Sequence, residues 1–170
     1  MILEKLIRCL SKEKRENIVD ILIFGSLLKG KAKPRDIDVM VIFSSGKLSE
    51  RLATVQDIKS RLKIKIDANF DVQQMLLRDL FSSAFLARAG LLLEGYSVFS
   101  GKKFCEVLGF NSYALFWYNL SGLSHVQKIK FNYILSGRNQ KGIIEIFNGK
   151  RVASGVIKIP IGHSQEFEEI

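Results

Sequence analysis

Ile18-Val-Asp-Ile-Leu-Ile-Phe24-Gly25-Ser26-Leu-Leu-Lys29-Gly30-Lys-Ala-Lys-Pro-Arg35-Asp36-Ile-Asp38-Val-Met-Val-Ile-Phe43 is the stretch that decides the fold. Its first seven residues are branched and aromatic, too apolar for a half-exposed strand, and they stop abruptly at Gly25. That pattern predicts a central strand ending in a turn. Ile37 to Phe43 reads as a second buried strand, closed by the turn residues Ser44-Ser45-Gly46. A short basic loop joins the two.

Upstream, Leu3, Leu6, Ile7 and Leu10 recur at helical spacing opposite Lys5, Arg8 and Lys12, which predicts an amphipathic opening helix. Downstream, Leu48, Leu52, Val55, Ile58 and Leu62 form a helical stripe suited to pack on the sheet. Ile64 to Asp67 reads as a short strand with Ile64 and Ile66 on one face. Leu76 to Leu93 reads as a long helix ended by Gly95. A boundary is expected near Gly101, giving a first domain of residues 1–101 and a basic, aromatic-rich appendage of residues 102–170. The appendage begins anew with helices of its own, first the aromatic Asn111 to Leu120. Then Ser124-His125-Val126-Gln127 fits a capping box, Val126, Ile129 and Tyr133 share a helical face, and Gly137 is placed to end that helix. Asn148-Gly149 between Ile143–Phe147 and Lys150–Ile159 predicts a hairpin with a two-residue turn. The whole reads as α/β: a short mixed sheet flanked by helices, plus a small helix and β-hairpin.

Composition narrows the class. With 170 residues, 47% of them hydrophobic and 25% charged, the chain can bury one core plus a small appendage. Only two Pro and no low-complexity tract leave collagen-like and disordered classes without support. The first fifteen residues alternate Leu/Ile with charges and resemble no signal peptide. The most apolar run, Leu80 to Leu93, is broken by Arg88 and Gly90 and falls short of the ~20 residues that cross a bilayer. Cys9 and Cys105 are isolated and only two His are present, so zinc ligation and disulfide frameworks fit poorly and a reducing cytoplasm is the expected setting. His125 and His163 read as helix-start and loop residues.

The net charge of +9 raises nucleic acid as a partner, since each neutralised phosphate releases counterions. Residues 102–158 hold nine Lys/Arg and only two Glu, interleaved with Phe, Tyr and Trp. That mixture suits phosphate contact plus stacking, with Lys128, Lys130 and Arg138 as candidates. It equally suits a small core of Tyr113, Trp117, Phe131 and Tyr133 with a solvated basic rim.

Chemistry concentrates around the opening stretch. A strand ending in Gly25-Ser26 lets the backbone approach a phosphate, with the Ser hydroxyl and following amides as donors. Asp36 and Asp38 lie two apart on a strand, so both carboxylates leave one face while Ile37 and Val39 enter the core. Two adjacent acids on an apolar strand call for a cation, and their oxygens suit Mg²⁺ bridging to a nucleoside triphosphate. A solvated first turn of the strand is the bland alternative.

Taken together, hydrophobic strand, Gly25-Ser26, a short loop and Asp36-Ile-Asp38-Val resemble the signature of the polymerase beta nucleotidyltransferase superfamily, in particular its small, minimal members. Lys29-Gly30 falls where such members often carry Arg-Gly. Nine residues separate Ser26 from Asp36, one fewer than in many of them, and Arg35 stands where Ser is common. The resemblance covers roughly the first hundred residues. It implies that Gly25, Ser26, Lys29 and Gly30 bind the nucleotide, and that Asp36, Asp38 and a third carboxylate hold Mg²⁺ or Mn²⁺. Asp67, at the end of Lys-Ile-Lys-Ile-Asp, matches the third position, with Asp71 as its rival. The implied reaction moves a nucleoside monophosphate from an NTP to a hydroxyl of RNA, protein or a small molecule and releases pyrophosphate. The competing class is a non-catalytic nucleic-acid- or protein-binding module that keeps the fold. Oligomeric state is not legible.

Overall fold

Residues 2–13, 15–28, 34–82, 85 and 88–170 are described by a computed structural model. They form two units, Met1–Phe110 and Asn111–Ile170.

The first unit grows from the two strands of the opening stretch. β1 (Ile18–Phe24) and β2 (Ile37–Phe43) pair antiparallel, with Phe24 opposite Asp38 and Ile18 opposite Phe43. Alternate side chains leave opposite faces, and here both faces are apolar. Ile21, Ile23, Val39 and Val41 join a core shared with α1 (Ile2–Leu10) and α2 (Leu48–Lys65). Leu22, Met40 and Ile42 join a second core on the other side. Burial on both sides is why these strands read as continuous apolar runs.

α2 starts where Glu50 Oε2 accepts the Lys47 backbone N–H at 3.2 Å, satisfying one of the amides a helix start leaves open. It returns the chain to β3 (Phe70–Leu76), which pairs parallel with β2. A parallel neighbour requires such a crossover. The sheet order is β3-β2-β1-β4-β5, with β4 (Tyr96–Ser97) and β5 (Lys102–Lys103) as short antiparallel additions. α3 (Arg88–Glu94) and α4 (Phe104–Val107) cover the second face through Leu91 and Phe104. The expected boundary near Gly101 thus falls within this unit, whose last strand and helix begin after it.

Two expectations fail in this unit. Ile64 to Asp67 is no strand: α2 runs on through Lys65, because the buried stripe Val55, Ile58, Leu62 continues to Ile66 while Ile64 is 84% exposed. The expected helix Leu76–Leu93 is instead a 3-10 turn at Leu77–Phe81 and the short α3, with part of the interval outside the described residues.

The second unit is a three-stranded antiparallel sheet with helices on one face. β6 (Tyr113–Trp117), β8 (Val156–Pro160) and β7 (Lys150–Ala153) lie in the order β6-β8-β7. Ile157 and Ile159 point to a core with Leu135 of α5 (His125–Ser136) and Ile144 of α6 (Ile143–Ile146). Phe167 of α7 (Ser164–Glu168) packs against it. The Ser124 capping box forms as read, with Gln127 as its partner, and Gly137 ends α5 at φ +78°.

Here too the reading is corrected. Asn111–Leu120 holds a strand, since Tyr113, Leu115 and Trp117 face outward while Phe116 packs inward, a period of two. Within Ile143–Phe147 the first four residues are the helix α6, and Asn148-Gly149 is its stop signal, not a hairpin turn. Asn148 adopts φ +53° and the Gly149 N–H donates to Ile144 O at 2.7 Å, the left-handed cap that commonly ends helices. The hairpin turns six residues later, at Ser154-Gly155 between β7 and β8. Cys9 and Cys105 form no disulfide. Among the described residues no helix is long and apolar enough to cross a membrane.

Candidate active site

β1 ends at Phe24, and Gly25 turns the chain at φ +77° into a 3-10 turn spanning Gly25–Leu27. A side chain at Gly25 would run directly into Asp38: an added Cβ would overlap Oδ2 outright and lie 3.0 Å from Cγ. Glycine is therefore required twice, for the left-handed backbone and for the space the carboxylate occupies. The turn and the acid are one packed unit.

Asp38 sits at the start of β2, opposite Phe24 on one side and opposite Asp71 of β3 on the other. Residues facing each other across a ladder share a face, so Asp38 and Asp71 emerge together, in line with Met40, Ile42 and Met75 of the second core. Asp36 precedes them, exposed, at the edge of the strand. Burial raises the Asp38 pKa above the usual carboxylate range, and the charges of Asp36 and then Asp71 push it further. Asp71 is steadied by Gln73, whose side-chain amide donates to Oδ2 at 2.7 Å.

The geometry thus brings together Gly25, Asp36, Asp38 and Asp71, with Ser26 in the turn. Asp67 is not brought in. It lies exposed in the bend between α2 and β3, and the carboxylates acting on Asp38 are Asp36 and Asp71. The signal for Asp71 was the alternation Phe70-Asp71-Val72-Gln73 after Ala68-Asn69, with Phe70 and Val72 entering one core and the polar pair leaving the other face. Lys29 and Gly30 lie outside the described residues.

Among the described residues no cation pairs with Asp36, Asp38 or Asp71, and no three His, Cys, Asp or Glu side chains stand close enough to enclose a metal ion. The acids therefore form an open, electrostatically coupled edge.

In the second unit, Lys128 borders a polar cleft with Trp117 and Arg151, Lys130 is exposed on α5, and Arg138 lies 5.0 Å over the Tyr133 ring, beside a different depression. Lys128 and Arg138 thus border different depressions.

Residues 4–92 match the family described as Polymerase beta, Nucleotidyltransferase. No curated protein matches the chain. Among solved structures it is similar to a toxin-antitoxin with AMP-PNP, at 19% identity over 76% of this chain and 90% of that one, with a TM-score of 0.41. It is similar also to the toxin-antitoxin MntA-HepT, at 17% identity over 78% and 90% with a TM-score of 0.38. A third, a point mutant of the toxin-antitoxin MntA-HpeT, shares 22% identity over 57% and 70% with a TM-score of 0.36.

Proposed function

The chain belongs to the polymerase beta nucleotidyltransferase family, whose signature spans residues 4–92, and from that premise we propose that it transfers a nucleoside monophosphate from an NTP to a hydroxyl acceptor with the acids of β2 and β3. The observation that carries this reading is the ladder register that sets Asp38 beside Asp71 while Gly25 makes room for the Asp38 carboxylate. Asp71, and not Asp67, is the third carboxylate of the proposal.

In this reading the Gly25-Ser26 turn receives the triphosphate, its amides and the Ser26 hydroxyl donating to phosphate oxygens. Mg²⁺ or Mn²⁺ held by Asp36, Asp38 and Asp71 would supply charge neutralisation for the phosphates and for the departing pyrophosphate. Asp71, fixed by Gln73, faces the acceptor and takes the proton of its hydroxyl as the oxygen bonds to the α phosphorus. The bond from that phosphorus to the β-phosphate bridging oxygen breaks, and pyrophosphate leaves. A hydroxyl of RNA, of a protein or of a small molecule would serve as acceptor.

The test is incubation with each labelled nucleoside triphosphate, Mg²⁺ or Mn²⁺, and a mixed pool of RNA and protein, followed by sizing of whatever is labelled. Label is expected to vanish with chelator and in Asp36→Asn, Asp38→Asn and Asp71→Asn, and to persist in Asp67→Asn. Loss of label in Asp67→Asn with retention in Asp71→Asn would overturn the assignment of the third carboxylate. Labelling that survives all three substitutions would overturn the catalytic reading itself.

A further inference from the structure

We propose that the second unit carries a binding site for single-stranded nucleic acid, formed by the cleft between the end of its sheet and α5, with Trp117 as the stacking platform and Arg151 and Lys128 as the phosphate contacts.

The cleft holds about 520 Å³ and is bordered by Trp117, Asn119, Lys128, Asn132, Arg151 and Gly155 among others. None of the residues lining it is acidic, and its two charged members are both cations. Arg151 is held in place by neutral acceptors: its guanidinium donates to Asn132 Oδ1 at 3.0 Å and to Ser136 Oγ at 3.3 Å. Asn132 is itself anchored, its amide donating to the Lys128 carbonyl at 3.0 Å. Among the described residues no carboxylate pairs with Arg151 or Lys128. A guanidinium oriented by neutral groups and left without a counter-charge is prepared for an anion from outside.

The aromatic part is independent of the charges. Trp117 is 84% exposed, although it stands on a strand whose neighbour Phe116 packs, half-buried, against the core. Its indole edge lies against Gly155, where an added Cβ would sit 3.7 Å from Cδ1 and Nε1 and 2.7 Å from Tyr118 O, so the hairpin turn shapes the seat of the ring. Beyond the cleft, round the end of the sheet, lies its open face, the side away from Arg151, which pairs with the buried Ile157 and turns toward α5. Tyr113 lies on the same side of β6 with Lys158 Nζ 4.3 Å from its ring centroid, and Lys150 stands opposite Lys158 in the ladder. A single strand alternates phosphate anions with aromatic planes, and the cleft sets Trp117 beside Lys128 and Arg151 to meet both. A duplex hides those planes from the indole.

Because Trp117 is the chain's only tryptophan, its fluorescence reports this site alone. The full chain is titrated with a fluorescein-labelled single-stranded oligouridylate of about 12 nucleotides, within the span one such module covers. Emission from Trp117 is expected to quench as anisotropy rises. Trp117→Ala should weaken binding by about tenfold or more, with Trp117→Phe retaining most of it. Arg151→Gln or Lys128→Gln should weaken it and lower the slope of log K against log salt by about 0.7 each. The three side chains of this test are on the surface or its edge, and matched melting curves confirm that the variants are folded. The Asp36→Asn, Asp38→Asn double variant should bind unchanged, which separates this site from the transfer reaction. The proposal is overturned if no quenching occurs, if the variants bind like the parent, if the double carboxylate variant loses binding, or if duplex of the same length or polyglutamate competes as well as the single strand.

Discussion

Replacing Gly25 by alanine tests whether the turn proposed to receive phosphate and the acid proposed to hold the metal form one device. Two penalties arise, and they fall on different observables. Holding an L-residue in the left-handed region at φ +77° costs about 1–2 kcal/mol. That cost lowers the melting temperature of the chain by on the order of 5 °C. The steric penalty is separate. The new methyl would overlap Asp38 Oδ2 and lie 3.0 Å from Cγ, where ordinary contact begins at 3.4 Å, whereas the Asp38 Cβ at 3.5 Å is undisturbed. The far end of a short side chain can rotate away at little cost to folding. For catalysis the same motion is expensive, because displacing a reacting group by about 1 Å forfeits on the order of 10²-fold in rate. Nucleotidyl transfer measured as label incorporated per unit time, beside a thermal melt of the same sample, reads both effects. Gly25→Ala should stay folded with a modestly lowered midpoint and lose about two orders of magnitude in kcat/KM. A folded Gly25→Ala protein with activity within a few-fold of the parent would refute the coupling of Gly25 to Asp38.

Three further outcomes follow from the same structure. Asp38→Asn removes a charge that burial and two neighbouring acids disfavour, so in metal-free buffer its melting temperature should equal or exceed the parent's. Its activity should fall by more than the roughly 10–100-fold that losing a group merely supporting a metal ligand costs; a clearly lowered midpoint would contradict the charge argument. Gly149→Ala puts a methyl into the fully buried Ile159 and 2.9 Å from Lys158 O, and should destabilise the second unit by about 1–3 kcal/mol in denaturant titration. Asp20 is buried on β1, where burial raises its pKa against the pull of hydrogen bonds donated by the Ser97 hydroxyl and the Ile21 and Phe99 amides. The folded chain therefore holds that proton more tightly than the unfolded one. Its stabilising contribution is complete below the ordinary value of 3.8 and is lost as pH rises through the raised one. The melting temperature of the parent minus that of Asp20→Asn should accordingly fall with rising pH across this window, and a flat or rising difference would show the sign to be wrong.

What was legible in the sequence was whatever both faces of an element agreed on. β1 and β2 are apolar on both sides, so no choice of face could hide them, and Gly25 marked the end of β1 because no other residue suits its turn. The Ser124 box and Gly137 bracketed α5 for the same reason, as each cap satisfies a specific backbone group. Failures came where one residue pair serves two geometries. Asn148-Gly149 permits a tight hairpin turn or a left-handed helix cap, and only the packing of Ile144 and Ile159 beneath it decides between them. At the end of α2, Ile64 and Ile66 look like one face of a strand, yet Ile66 completes the stripe begun at Val55, and Ile64 is left in solvent.

The choice of a third carboxylate shows how register reaches the proposed chemistry. Asp67 and Asp71 are four residues apart, and each follows an apolar residue, Ile66 or Phe70, so local composition ranks them nearly equally. Their difference lies in the parallel ladder of β2 and β3, which pairs Ile37 with Phe70, Asp38 with Asp71 and Val39 with Val72. Slipping that ladder by one residue would exchange every side chain between the two faces. Phe70 would then stand in the acidic row and Asp71 in a core of Val39, Val41 and Phe43, a position no carboxylate occupies without a partner. The register is thus held by the apolar residues, Phe70, Val72 and Leu76 inserting on the α2 side. The acids are carried to their places as the residues left over. Substituting Val72 by Asp, which leaves all three acids in place, should therefore abolish transfer along with folding of the first unit, whereas Asp67→Asn should disturb neither; an active Val72→Asp protein would mean that the acids find their arrangement without the ladder.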